Sequence, residues 1–356
     1  MAEAGYQGRT AAPGARRRAR ERSCGPRPGR WAHVFAALDL GTNNCRLLVA
    51  RPTRRGFRVV DAFSRIVRLG EGMGATGTIS DEAMHRTIEA LRVCALKMQR
   101  RAVTRARTVA TEACRRASNC AQFLDRVERE TGIQLEIIST AEEARLAVSG
   151  CRPLVIADAR YALVFDIGGG STELIWLDLR QPEDAAATVS LPIGVVTLAE
   201  GFGGHEISRK TYAAMVELVR ESLRPFESAH AIAAQIAAGG VQMLGTSGTV
   251  TTLAGIHLEL PRYDRSRVDG LWLSFQRARE ISEQLRRMGY AGRAANPCIG
   301  HERADLVVGG CAILEAICDL WPVGRLRVAD RGIREGILQA LIRAADHEGG
   351  HARAGR

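Results

Sequence analysis

The sequence predicts an α/β fold built of two related halves with a cleft between them. Three observations carry that expectation. First, Val164–Leu177 reads as an apolar run, Asp166, three glycines, Ser171, Thr172, Glu173 and a second apolar run, the pattern of a β-hairpin closed by a glycine turn. Second, Ala37–Ala50 repeats that frame 127 residues earlier (166 minus 39). Asp39 stands where Asp166 stands, Gly41 where Gly168 stands, and Arg46 where Glu173 stands. Third, strand-like and helical runs alternate along the chain, as in α/β proteins. One repeat at so long a spacing indicates a duplicated domain, not a short-period solenoid.

The turns suggest chemistry. Without Cβ atoms the backbone can close on a ligand, and successive N–H groups form a nest for phosphate oxygens. Asp166 and Glu173 flank the second turn, where they could hold a cation or a water beside that phosphate. A lone turn of this kind reads better as a tight structural hairpin with solvated acids. The second copy shifts the balance, because two facing turns would grip a phosphate chain from both sides.

Composition narrows the partners. With 356 residues and 46% apolar content, there is room for two domains with cores. Apolar runs are about strand length and broken by charge, so no membrane partner is expected. Net charge is +11, of which residues 1–30 carry +6 through eight Arg against two Glu. The moderately basic body suits a polyanion. Aromatics are only 5% and do not interleave with a basic stripe, so no specific nucleic acid is expected. Nine cysteines, an odd number with no Cys-x-x-Cys, fit reduced thiols of a cytoplasmic protein. The eight histidines read as surface or locally hydrogen-bonded residues.

In chain order, residues 1–32 read as a disordered basic tail. A first lobe is expected over 33–139 plus about 325–346, a second over 140–324, and a frayed end over 347–356. Residues 34–50 give strand, turn and strand, and Phe57–Ile66 a third strand. Residues 67–77 form a loop. Ser80 caps a helix over Asp81–Arg101. Thr108 onward is a strand entering a helix, Cys120–Thr131 is helical and Leu135–Ile138 is a short strand. A helix over Ser139–Val148 then leaves a strand end, where active sites of α/β folds collect. Ser139-x-x-Glu142 and Thr140-x-x-Glu143 each fit a capping box, so pattern alone ranks a structural use of these glutamates first. After the 164–177 hairpin come a strand and turn near 188–198 and a helix over Lys210–Ala229. In Val241–Ala254 a strand meets Gly245, Thr246, Ser247 and Gly248 before a helix. Such a turn is either an anion site or an ordinary connection. Arg303, where the next helix begins, could reach a phosphate bidentately or form a surface ion pair. A last strand, turn and helix run to about Ala345.

Six words carry a family resemblance. They are Leu38-Asp-Leu-Gly-Thr-Asn-Asn-Cys-Arg-Leu, Ala110-Thr-Glu-Ala-Cys-Arg-Arg-Ala-Ser-Asn, Ile137-Ile-Ser-Thr-Ala-Glu-Glu-Ala-Arg-Leu, Phe165-Asp-Ile-Gly-Gly-Gly-Ser-Thr-Glu-Leu, Gly245-Thr-Ser-Gly-Thr-Val-Thr-Thr-Leu-Ala and Asp330-Arg-Gly-Ile-Arg-Glu-Gly. Together the chain resembles the exopolyphosphatase / guanosine pentaphosphate phosphohydrolase (Ppx/GppA) family from about residue 35 to 340. The glycine words belong also to the wider actin, Hsp70 and sugar-kinase superfamily; the Glu-Glu-Ala-Arg word is the specific part.

The resemblance implies a duplicated actin-like, ribonuclease H-like fold. It implies an exopolyphosphatase that removes the terminal phosphate of linear inorganic polyphosphate, or alternatively a pppGpp 5'-phosphohydrolase. It makes Glu143 the general base, reversing the ranking from pattern. Asp166 and Glu173 become Mg2+ ligands. Asp39, Gly41, Thr42, Asn43, Asn44, Arg46, Gly168, Gly169, Gly170, Ser171, Thr246, Ser247, Gly248 and Arg303 become phosphate binders. It admits a homodimer. Long members carry a further C-terminal HD-type helical domain, which is not expected here. The rival readings are an actin-like phosphotransferase and a nucleotide sensor, which lack the Glu-Glu-Ala-Arg element, and a non-catalytic polyphosphate-binding module, against which the intact acids argue.

Overall fold

The structure is a computed structural model that describes residues 30–54, 56–181 and 186–354. The basic tail expected over 1–32 lies outside these apart from a single turn at Arg30–Ala32.

Two mixed sheets organise the chain. The first has the order β3-β2-β1-β4-β5, with β1 Phe35–Leu40, β2 Asn44–Thr53, β3 Gly56–Ile66, β4 Arg105–Ala110 and β5 Glu136–Ile137. The second has the order β10-β11-β9-β6-β7-β8, with β6 Tyr161–Ile167, β7 Thr172–Asp178, β8 Ala187–Leu191, β9 Val241–Thr246, β10 Trp272–Ser274 and β11 Arg325–Ala329. β1 and β6 are near-continuous apolar runs because each is central, paired antiparallel on one side and parallel on the other.

The duplication holds in register. Asp39 lies opposite Arg46 across β1 and β2, and Asp166 opposite Glu173 across β6 and β7. Both turns close with the same bond: Gly41 N–H donates to Asn44 O at 2.9 Å, and Gly168 N–H to Ser171 O at 2.9 Å. Each first strand then pairs in parallel with the strand after the hairpin unit, β1 with β4 and β6 with β9. The chain has the duplicated, two-lobed, actin-like α/β architecture that the sequence implies.

Each lobe has its own core, and a third core joins them. The first lies under the helices Asp81–Arg100 and Cys120–Thr131, the second under Arg209–His230, Phe275–Arg287 and Val307–Leu320. The third places Phe35, Ala37 and Leu48 of the first sheet and Val164, Ile175 and Leu244 of the second around the helices Thr140–Cys151 and Ile333–Ala354. Those two helices cross closely: a Cβ on Gly336 would sit 2.1 Å from Leu146 O. The last glycine of the Asp330–Gly336 word is therefore a packing requirement.

Two boundaries differ from the expectation. Residues 325–329 belong to the second sheet, because β11 pairs in parallel with β9 and buries Leu326 and Val328 there. Only the helix from Ile333 turns toward β1. The expected frayed end is helical to Ala354, held by ion pairs from Arg30 to Asp346 at 3.0 Å and from Arg105 to Glu348. The expected loop at 67–77 contains one helical turn, Met73–Thr76. Among the described residues no helix is long and apolar enough to cross a membrane. Every described cysteine is free and buried.

Candidate active site between the two hairpins

The two glycine turns meet. A Cβ on Gly169 would lie 2.9 Å from Asn43 Cβ and 3.1 Å from Asn43 N. The turns therefore touch backbone to backbone, and only glycine allows the approach. Beside them opens a cavity of about 920 Å³. It is lined by Asp39, Gly41, Thr42, Asn43, Asn44, Arg46, Glu143, Asp166, Gly168, Gly169, Ser171, Glu173, Ser247, Gly248 and Arg303. Gly170 faces an adjoining cavity with Thr42 and Glu112, and Thr246 another that also includes Asp39 and Arg46.

The turn amides are not all available. Those of Gly41 and Gly168 close their own hairpins. Those of Thr42, Asn43, Gly169 and Gly170 make no hydrogen bond with the described residues. The carbonyls of Gly168 and Gly169 instead accept from Val195 and Val196 at 3.0 and 2.8 Å, which fixes the turn's orientation. The third turn is strained: Ser247 has φ 132°, a region that L-residues avoid, and its side chain caps the helix Gly248–His257.

Glu142 and Glu143 part company at the start of their helix. Ser139 Oγ accepts from Glu142 N at 3.2 Å and makes the cap. Glu142 turns outward to Arg107 at 2.8 Å and Arg145 at 2.7 Å. Glu143 points into the cavity, 7% exposed, and accepts from Arg115 Nη1 at 2.7 Å. Arg115 is itself fixed by Ile138 O at 2.9 Å and by Glu112 at 2.9 Å.

Four carboxylates converge here, and burial raises the pKa of each. Asp166 is pushed up to about 6, with Arg46 pulling the other way. Glu173 is pushed up to about 7, although Ser171 and Ser190 donate to it at 2.6 and 3.0 Å. Glu143 is held well above the usual carboxylate range by burial and by the charge of Glu173, with Arg115 opposing. Asp39 is raised by burial, against the charge of Arg46. In the same space the buried amide oxygens of Asn43 and Asn44 have no hydrogen-bond partner. The guanidinium groups of Arg46 and Arg303 make no hydrogen bond or ion pair with the described residues. The pocket thus holds acids that call for positive charge and arginines that call for negative charge.

Sequence reasoning missed Thr111, Glu112, Thr249 and Thr252 in the lining, and Arg115 behind Glu143. Arg115 was visible only as part of the Ala110–Asn119 word. Among the described residues no group of three or more ligating side chains is arranged to hold a metal.

The description of the Ppx/GppA phosphatase family matches this sequence over residues 48–344. The chain belongs to that family. A guanosine-5'-triphosphate,3'-diphosphate pyrophosphatase of Aliivibrio fischeri is 29% identical over 316 residues, covering 88% of this chain and 60% of the relative. The chain thus spans well under two thirds of that curated relative's length. Among solved structures, a Ppx/GppA family member of Aquifex aeolicus superposes with a TM-score of 0.71 at 26% identity, covering 88% of this chain and 99% of its own. An exopolyphosphatase of Cytophaga hutchinsonii gives a TM-score of 0.78 at 26% identity, covering 87% of this chain and 98% of its own. The Ppx/GppA fold therefore applies along most of the chain.

Proposed function

We propose that this protein is a phosphatase that hydrolyses the terminal phosphoanhydride of a linear phosphate chain. pppGpp is the substrate favoured by the curated relatives. Inorganic polyphosphate is the second reading, favoured by the exopolyphosphatase structure that this chain covers almost completely. The observation that carries the proposal is the placement of Glu143, buried and arginine-held, in the cavity beside two touching glycine turns.

In this mechanism the amides of Thr42, Asn43 and Gly169 receive the oxygens of the terminal phosphate. Arg46 and Arg303 compensate its charge bidentately. Glu143 orients a water and takes its proton as the water attacks in line, while Arg115 keeps the carboxylate aimed. Positioning and electrostatics supply most of the rate. Asp166 and Glu173, with the orphaned amide oxygens of Asn43 and Asn44, are the residues that would hold a magnesium ion. Bound there, magnesium would neutralise phosphate charge in the transition state.

The test is phosphate release from pppGpp, long polyphosphate, short polyphosphate and ATP, measured side by side with and without Mg2+. The expected result is release from pppGpp or polyphosphate far above that from ATP. ATP-dependent transfer to an acceptor, or no release from any substrate, would contradict the proposal.

A further inference from the structure

A second cavity, of about 1500 Å³, shares Asp39, Arg46, Asp166, Ser247, Gly248 and Arg303 with the first. The same wall residues thus face two spaces, and the private linings of those spaces differ in charge. Glu143 and Glu173 line the first and not the second, whereas Arg265, Arg331 and Arg334 line the second and not the first, together with Glu302 and Asp330.

Two of these arginines are committed elsewhere. Arg265 pairs with Glu335 at 2.6 Å, and Arg331 Nε donates to Asp269 Oδ2 at 3.0 Å. Glu335 is further engaged by Gly332 N–H at 2.9 Å and makes no direct ion pair with its neighbour Arg334, although its charge acts on it. Among the described residues the guanidinium of Arg334 makes no hydrogen bond or ion pair, and neither do those of Arg46 and Arg303. Burial pulls the pKa of Arg334 down, the charge of Glu335 opposes it, and the charge of Arg46 adds to the fall. The three guanidinium groups line one cavity with no direct ion pair, although the charges of Glu335 and Asp39 reach Arg334, and a bound polyanion would give each a direct partner.

We propose that the second cavity binds the phosphates on the leaving-group side of the scissile bond, with Arg334 as a contact beside Arg46 and Arg303. The inference rests on the phosphoanhydride reading above and gives the substrate a direction. The terminal phosphate sits at the acidic end, where Glu143 readies the water. The chain then passes Arg46 and Arg303 and reaches Arg334. The shared chemistry is a run of phosphoanhydride oxygens, from linear polyphosphate or from the chain of pppGpp. Leu48, Phe63 and Tyr263 in the same cavity offer apolar surface to a nucleoside.

The test is calorimetric binding to the full chain carrying Glu143→Gln, with and without Arg334→Gln or Arg334→Lys. The probes are orthophosphate, long polyphosphate and pppGpp. Arg334→Gln should weaken long polyphosphate or pppGpp by about 10- to 100-fold, the scale of a lost charge-assisted hydrogen bond. Orthophosphate, which needs only the terminal site, should change less than about 3-fold, and Arg334→Lys should recover part of the loss. Which long ligand suffers identifies the source of the chain. Equal loss for orthophosphate, or no loss for either long ligand, would overturn the proposal. Failure of the hydrolysis reading would show separately, as no phosphate release by the protein with Glu143 intact.

Discussion

Glu142 and Glu143 sit side by side on one helix and do different work. Pattern alone could not separate them, because both fit a capping box. The fold separates them by direction, sending Glu142 to Arg107 and Arg145 and Glu143 to Arg115 inside the cavity. The family resemblance had already pointed to the second. Arg115 was marked only as part of the Ala110–Asn119 word, not as the partner of Glu143, which lies 28 residues on and meets it only when β4 and β5 pair. The buried acids make a prediction at this scale. Asp166 near 6 and Glu173 near 7 hold protons that the unfolded chain releases at ordinary carboxylate values. Where the native state binds more protons, stability falls as pH rises. The unliganded protein should therefore lose stability between about pH 4 and 7, and Glu173→Gln should flatten that fall by an amount on the order of a few kcal/mol. Urea unfolding at pH 5 and pH 8 checks it; an unchanged slope in the variant would count against the buried, proton-holding Glu173.

At the scale of elements, strands and caps were legible where the signal was local. Ser80 caps its helix by accepting from Ala83 N, as its position before an amphipathic run suggested. The two hairpins were read in correct register because the Asp-to-partner spacing is the same in both copies. The placement of β11 was not legible, since parallel pairing with β9 leaves no mark in the strand's own sequence. Nor was the helical end, whose ion pairs join residues more than 240 positions apart. The tightest element-level claim concerns the two turns. Gly169→Ala places a methyl against Asn43 backbone, which cannot swing aside as a side chain could. Overpacking of this kind costs about 1–3 kcal/mol and should force the turns apart. A drop in melting temperature together with loss of phosphate release is the expected outcome. Normal activity in a stable variant would mean that the turns need not touch.

Across the whole molecule, the lobes are tied at the mouth of the cleft as well as through the shared core. Arg68, in a left-handed backbone conformation at φ 48°, donates its N–H to Asn43 O at 3.1 Å. Its guanidinium crosses to Asp305 at 3.0 and 3.1 Å, two residues beyond Arg303. Close by, Gly72 N–H reaches Glu200 at 2.9 Å. These bonds set the distance between the first turn and the segment that carries Arg303. A half-exposed ion pair contributes at most about 1 kcal/mol, so Arg68→Ala should fold normally. Its KM should rise several-fold while kcat changes less, and steady-state kinetics across the substrate panel would show this. A kcat loss with constant KM would place the bridge in the chemistry instead. The two-lobed plan was readable because a duplication leaves two copies of one frame. The choice between pppGpp and polyphosphate was not, because both present the same terminal phosphate to the same residues.

The most direct measurement compares turnover and substrate binding in the intact protein and in Glu143→Gln. If a buried carboxylate prepares the attacking water, phosphate release should fall by about 10²–10⁴-fold while the dissociation constant stays within a few-fold. Undiminished release would remove Glu143 from the reaction.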